Sequence, residues 1–129
     1  MRRTLLPPRV PTIGVPILAV GLLILAACDP AASGLCASPS VTLQTTVTAE
    51  TMDPPSLEAC RDQDVVLEIA AETDGIFHVG GYEETTALTA GETTTLAFNA
   101  DAAGQFLIHF HDQQSGVESE IGVLTVHEP

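Results

Sequence analysis

"QFLIHFHD", residues 105–112, alternates with a period of two, so Phe106, Ile108 and Phe110 fall on one face and Leu107, His109 and His111 on the other. An aromatic and aliphatic set of this kind belongs on a core. The two histidines therefore point outward or, at the strand end, into a loop. The pattern recurs along the chain. "VTLQTTVTA" (41–49) alternates Val41, Leu43, Thr45 and Val47, and "VVLEIAAE" (65–72) sets Val65, Leu67, Ile69 and Ala71 on one face. "GIFHVGGYE" (75–83), "TTAL" (85–88), "ETTTLAFNA" (92–100) and "IGVLTVHE" (121–128) add further short runs. "TAG" (89–91), "DAAG" (101–104) and "QSG" (114–116) supply turns between them. Threonine is frequent and β-branched, which suits half-exposed strands, and no stretch sustains a 3.6-residue period. About seven strands at this spacing predict an all-β, antiparallel Greek-key sandwich over residues 41–129. "MDPPSLEACRDQD" (52–64), with two prolines and several acids, reads as a crossing loop pinned by Cys60.

The N-terminal 40 residues read differently. Arg2, Arg3 and Arg9 precede an uncharged stretch from Val10 to Leu25, followed by "LAAC" (25–28). This is the anatomy of an export signal, too short and too broken by Pro11 and Pro16 for the ~20 residues of a membrane span. Leu25, Ala26 and Ala27 before Cys28 resemble the lipobox of bacterial lipoproteins, which implies removal of residues 1–27 and acylation of Cys28. "RRTLL" (2–6) has a slight likeness to a twin-arginine signal. "DPAASGLCASPS" (29–40) is small and rich in Pro, Gly and Ser, so residues 28–40 read as a lipid-anchored flexible tether. The implied address is a bacterial periplasm or cell surface, with the membrane as a partner through the anchor.

Loss of residues 1–27 would remove three of the four basic residues and none of the 17 acidic ones, leaving a charge near −16. Such a surface repels nucleic acid and anionic headgroups and attracts cations. With Cys28 acylated, Cys36 and Cys60 remain as a pair in an oxidising compartment, where a disulfide is expected. The closed loop of 25 residues would contribute about 3 kcal/mol by chain entropy. With no tryptophan and only Tyr82 as tyrosine, the core must be aliphatic with Phe77, Phe98, Phe106 and Phe110.

From Gly75 onward the order of features resembles the cupredoxins, the family of plastocyanin, azurin and the extracytoplasmic domain of cytochrome oxidase subunit II. "GIFHVGGY" looks like the strand bearing that family's first copper-ligating histidine, which the resemblance places at His78. "LTAGETTTLAFNADAAGQFLIHFHD" resembles the passage leading into the ligand strand, and "IGVLTV" the closing strand. Aligned on Gly104 and Phe106, however, the family's copper-binding cysteine falls on Phe110. A type 1 site needs a thiolate, two imidazoles and a weak thioether. "HDQQSGVESEIG" (111–122) holds no methionine, and neither Cys36 nor Cys60 lies there, so a binuclear centre is excluded as well. The resemblance thus implies a cupredoxin-like sandwich that has lost its copper ligands, with no copper cofactor of the family's kind.

The histidines leave two readings open. His109 and His111 are outward strand residues, with His78 half-buried and hydrogen-bonded to a neighbour such as Tyr82. Alternatively His78, His109 and His111 ligate Cu(II) or Zn(II), His111 meeting His78 at the sandwich rim, with Asp112, Glu83 or Glu84 completing the shell. His127 reads as a solvated end residue. No serine stands in a nucleophile elbow, EF-hand spacing is absent, and paired acids such as Glu118 and Glu120 suit a solvated surface, so an enzyme is not expected. The expected function is an anchored binding or accessory module. A metal carrier or buffer, and a structural protein contacting another envelope protein, are the alternatives.

Overall fold

The computed structural model describes residues 34–129. The proposed signal segment 1–27, Cys28 and residues 29–33 of the tether lie outside the described residues. Among the described residues nine strands follow one another: β1 (Ser40–Val47), β2 (Met52–Asp53), β3 (Ser56–Cys60), β4 (Asp64–Ala71), β5 (Gly75–Val79), β6 (Glu84–Leu88), β7 (Thr93–Asn99), β8 (Gly104–Asp112) and β9 (Glu118–His127). They form two sheets, one in the order β2-β1-β4-β7 and the other in the order β3-β9-β8-β5-β6. The β-sandwich expected from the period-two runs is the observed architecture.

Pairing is mixed rather than wholly antiparallel: β1 runs parallel to β4, and β3 parallel to β9. The cause lies in the segment expected to be a crossing loop. Pro54 and Pro55 have no N–H to donate to a ladder, so the chain leaves the first sheet at Asp53 and joins the second at Ser56. It then returns, and β4 enters beside β1 running in the same direction. Residues 52–64 are thus a true crossing with a short strand on each side of the prolines. Leu57 and Ala59 of β3 are buried against the core.

The inner faces follow the alternation read from the sequence. Val65, Leu67, Ile69 and Ala71 of β4 are buried, as are Ile108 and Phe110 of β8 and Leu124 and Val126 of β9. Phe77 and Phe110 lie fully inside, whereas Phe98 and Phe106 are partly buried and pack on the cluster from one side. Such burial stabilises each large apolar side chain by about 1.5–3 kcal/mol and is the main force closing the sheets.

Cys36 and Cys60 are joined in the expected disulfide, with Cα atoms 5.4 Å apart. A second clasp lies beside it. The buried Gln63 side chain donates from Nε2 to the carbonyls of Leu35 (2.9 Å) and Ser38 (2.8 Å), and its Oε1 accepts the Cys60 N–H at 2.8 Å. Residues 35–38 are therefore held against the sandwich by both a covalent bond and a buried amide.

Candidate functional site

Two regions bear on function, and the period-two geometry separates them. The first is the sheet end where the cupredoxin resemblance would place copper. Phe110 pairs with Phe77, both rings are fully buried, and the Phe110 ring lies against the backbone of Gly75, where a side chain on residue 75 would overlap it. The position matched to a thiolate is thus filled by hydrocarbon. Two residues on, Asp112 falls on the same inner side and the residue as a whole is only 4% exposed. Its Oδ2 accepts the Ser115 N–H (2.7 Å) and its Oδ1 the Thr73 hydroxyl (2.9 Å). These hydrogen bonds, those from Ser115 foremost and that from Thr73 next, hold the Asp112 carboxyl below the usual carboxylate range.

The backbone closes the same turn. Asp112 N–H donates to Val117 O, and Gly116 N–H donates to Asp112 O, each at 2.9 Å. Where the resemblance calls for a ligand loop there is a short hydrogen-bonded turn. Asp112 is therefore a turn residue, and the expectation that it could complete a metal shell is corrected. The residues present do not fit a type 1 copper ion: a phenyl ring cannot coordinate, and the nearby carboxylate already has partners on both oxygens.

The second region is the outer face of the five-stranded sheet. Directly opposite residues in an antiparallel pair project to the same side. His78 faces His109 across β5 and β8, with ring centroids 6.2 Å apart and planes inclined by 33°. His111 faces Ile76 instead. The expected meeting of His78 with His111 at the rim is therefore replaced by a His78–His109 pair, because the strand register fixes which residues stand opposite. The same register corrects the matching of His78 to the family's first ligand. Phe77 shares the inner side with Phe110, while His78 projects through the other face of the sheet.

Carboxylates stand next to these rings without hydrogen-bonding to them. Glu83 Oε2 lies 3.7 Å from His78 Nε2, and Glu118 Oε1 lies 3.7 Å from His109 Nδ1. Glu84 is opposite the inward Val79 and so lies on the side away from His78. His127 stands at the far end of the sheet, its Nε2 3.9 Å from Glu58 Oε2. Among the described residues, no group of three or more His, Cys, Asp or Glu side chains is arranged to hold a metal ion.

Tyr82 is not the partner of His78. Its hydroxyl donates to Ala102 O, and its ring packs on Phe106 and Phe98, at centroid distances of 4.4 and 5.1 Å. Burial raises the phenol's pKa. This aromatic cluster bridges β7 of one sheet and β8 of the other. Sequence reasoning placed a turn at 114–116 but missed both the part Asp112 plays in closing it and the Gln63 clasp. "DQQSG" (112–116) carries an Asp–Ser turn signal for the first, and nothing local marks the second.

Several solved structures carry the same fold. A multicopper oxidase from Pediococcus acidilactici superposes with a TM-score of 0.54 and 13% identity, covering 73% of this chain and 28% of that one. Multicopper oxidase mgLAC gives 0.53 and 16%, covering 69% and 39%. Auracyanin B gives 0.51 and 17%, covering 66% and 87%. No protein-family profile and no curated protein matches the sequence. The fold is the cupredoxin-like β-sandwich. This chain spans about two fifths or less of the length of those oxidases, and identities this low speak to fold alone.

Proposed function

We propose that the chain is a lipid-anchored, extracytoplasmic binding or accessory module, built on a cupredoxin-like sandwich that has given up type 1 copper and electron transfer. The observation that carries this reading is the filled sheet end, with the Phe110 ring inside and both Asp112 oxygens engaged. Catalysis is not part of it. This part of the reading rests on the sequence, in which no serine stands in a strand-turn-helix nucleophile elbow.

Anchoring is supported by "LAAC" (25–28) and by the Cys36–Cys60 disulfide, which suits an oxidising compartment. Cys36 follows Cys28 by eight residues, and the disulfide and the Gln63 clasp hold residues 35–38 on the domain. Only a short stretch is thus left to span from lipid to sandwich.

The test is expression of the full chain and of Cys28→Ser in a bacterial host fed radiolabelled palmitate. Label in the membrane fraction of the wild type, and none on the variant, is expected. Unlabelled wild-type protein overturns the anchor. Separately, Cu(II) titration of the wild type is expected to give no intense visible charge-transfer band, and such a band overturns the loss of the type 1 site.

A further inference from the structure

We infer that His78 and His109 form a divalent-cation site, of Cu(II) or Zn(II) type, on the outer face of the five-stranded sheet. It lies on the opposite side of the sheet from the position where the fold family's metal would sit. The two imidazoles are cross-strand neighbours with centroids 6.2 Å apart. Two imidazoles bound to one ion at a tetrahedral angle, with metal–nitrogen bonds of about 2.0 Å, place their centroids roughly 5 Å apart. The pair is therefore about 1 Å from binding geometry, a distance that side-chain rotation closes with no movement of the sheet.

The environment favours the ion in three ways. His78 and His109 side chains are 33% and 29% exposed, so they are partly held by their neighbours yet reachable from solvent. Glu83 and Glu118 stand 3.7 Å from the ring nitrogens, beyond hydrogen-bond range, so neither ring is tied to its carboxylate while each has an anionic oxygen beside it. The domain as a whole is strongly acidic: residues 34–129 carry 16 carboxylates against Arg61 alone, which is itself paired with Asp62 and Glu128. Such a field raises the local concentration of cations. Two imidazoles with carboxylate support select borderline metals over Mg²⁺ or Ca²⁺, which prefer all-oxygen shells. Two protein nitrogens leave coordination positions to water, so the site is built for reversible loading and exchange. His111 does not complete it, because it stands opposite Ile76 at ~7 Å from His109 along the strand. The site depends only on the sheet, whether or not the chain carries a lipid.

The experiment is isothermal titration of the full chain in mild detergent with CuCl2 and with ZnCl2, repeated for His78→Gln, His109→Gln, His111→Gln and His127→Gln. Wild type is expected to take up one equivalent. His78→Gln and His109→Gln should each weaken binding by roughly tenfold or more, whereas His111→Gln and His127→Gln should change it by less than about threefold. Circular dichroism of each variant shows that the sheet is intact, and electron paramagnetic resonance of the Cu(II) form should show two equatorial nitrogens that fall to one in either weakened variant. No uptake by the wild type, unchanged binding in His78→Gln or His109→Gln, or a loss that follows His111→Gln overturns the inference.

Discussion

Replacing Phe110 by cysteine restores the residue type that the cupredoxin pattern has at this position, and the packing around the ring sets how far the fold is weakened. The Phe110 ring is fully buried, pairs with Phe77 and rests on the Gly75 backbone. Truncating a buried phenylalanine to alanine costs about 3–5 kcal/mol, and a sulfur atom recovers part of that, so Phe110→Cys should destabilise by about 3 kcal/mol. For a domain of this size each kcal/mol moves the midpoint by about 4–8 °C, giving a fall in Tm of roughly 12–24 °C by thermal circular dichroism. The folded variant, titrated with Cu(II) well below its midpoint, should nevertheless stay without a strong visible band. Its new thiol would sit on the inner side with Phe77, while His78 and His109 project from the other face and Asp112 is held by Ser115 and Thr73. A stoichiometric, intensely coloured copper complex in Phe110→Cys would refute this, since it would require at least one imidazole to reach the inner side. An unchanged Tm would refute the assignment of Phe110 to the core.

Contacts elsewhere in the fold lead to three more expected outcomes. Gln63→Ala removes three hydrogen bonds and leaves the buried Cys60 N–H without an acceptor, which should cost about 2–4 kcal/mol in urea unfolding and make residues 35–38 more exposed to protease. Reduction of Cys36–Cys60, or its replacement by two serines, should lower stability by about 3 kcal/mol, read as a shift in the denaturation midpoint without loss of the β-sheet circular dichroism signal. Asp112 has a folded-state pKa below its unfolded value, so its contribution is present above the unfolded pKa and is lost as pH falls through the lowered folded one. Asp112→Asn should accordingly be less stable than wild type near neutral pH, and the two denaturation midpoints should converge in strong acid. Parallel curves at every pH would show that ionisation of Asp112 does not contribute.

The sandwich was legible because alternation is a local property. "VVLEIAAE" and "QFLIHFHD" each state which residues are buried, and the structure buries Val65, Leu67, Ile69 and Ala71, and Ile108 and Phe110. The strand in residues 56–60 was hidden by the prolines before it. Its alternation of Leu57 and Ala59 with Ser56 and Glu58 covers only five residues and gains meaning once β9 lies beside it. The candidate site was legible in its side and not in its partners. Periodicity placed His109 and His111 outward, but which of them faces His78 depends on the pairing of β5 with β8, a relation between segments about 30 residues apart. A one-residue slip in that pairing would turn the inner set of side chains outward.

That dependence also explains why a sheet end without type 1 copper ligands is compatible with a metal site elsewhere on the sheet. Phe77 and Phe110 inside, and His78 and His109 outside, are products of one register, because each strand offers alternate residues to opposite faces. A phenylalanine at the thiolate position improves the packing of the inner face without altering the outer one. Conversely, a substitution at His78 or His109 reaches only the outer surface and leaves the apolar contacts of the core in place. The two faces can therefore change independently under selection. A sheet whose end is filled by Phe110 remains free to present imidazoles, two at a time and at a spacing set by the strands, to a cation arriving from the solvent side.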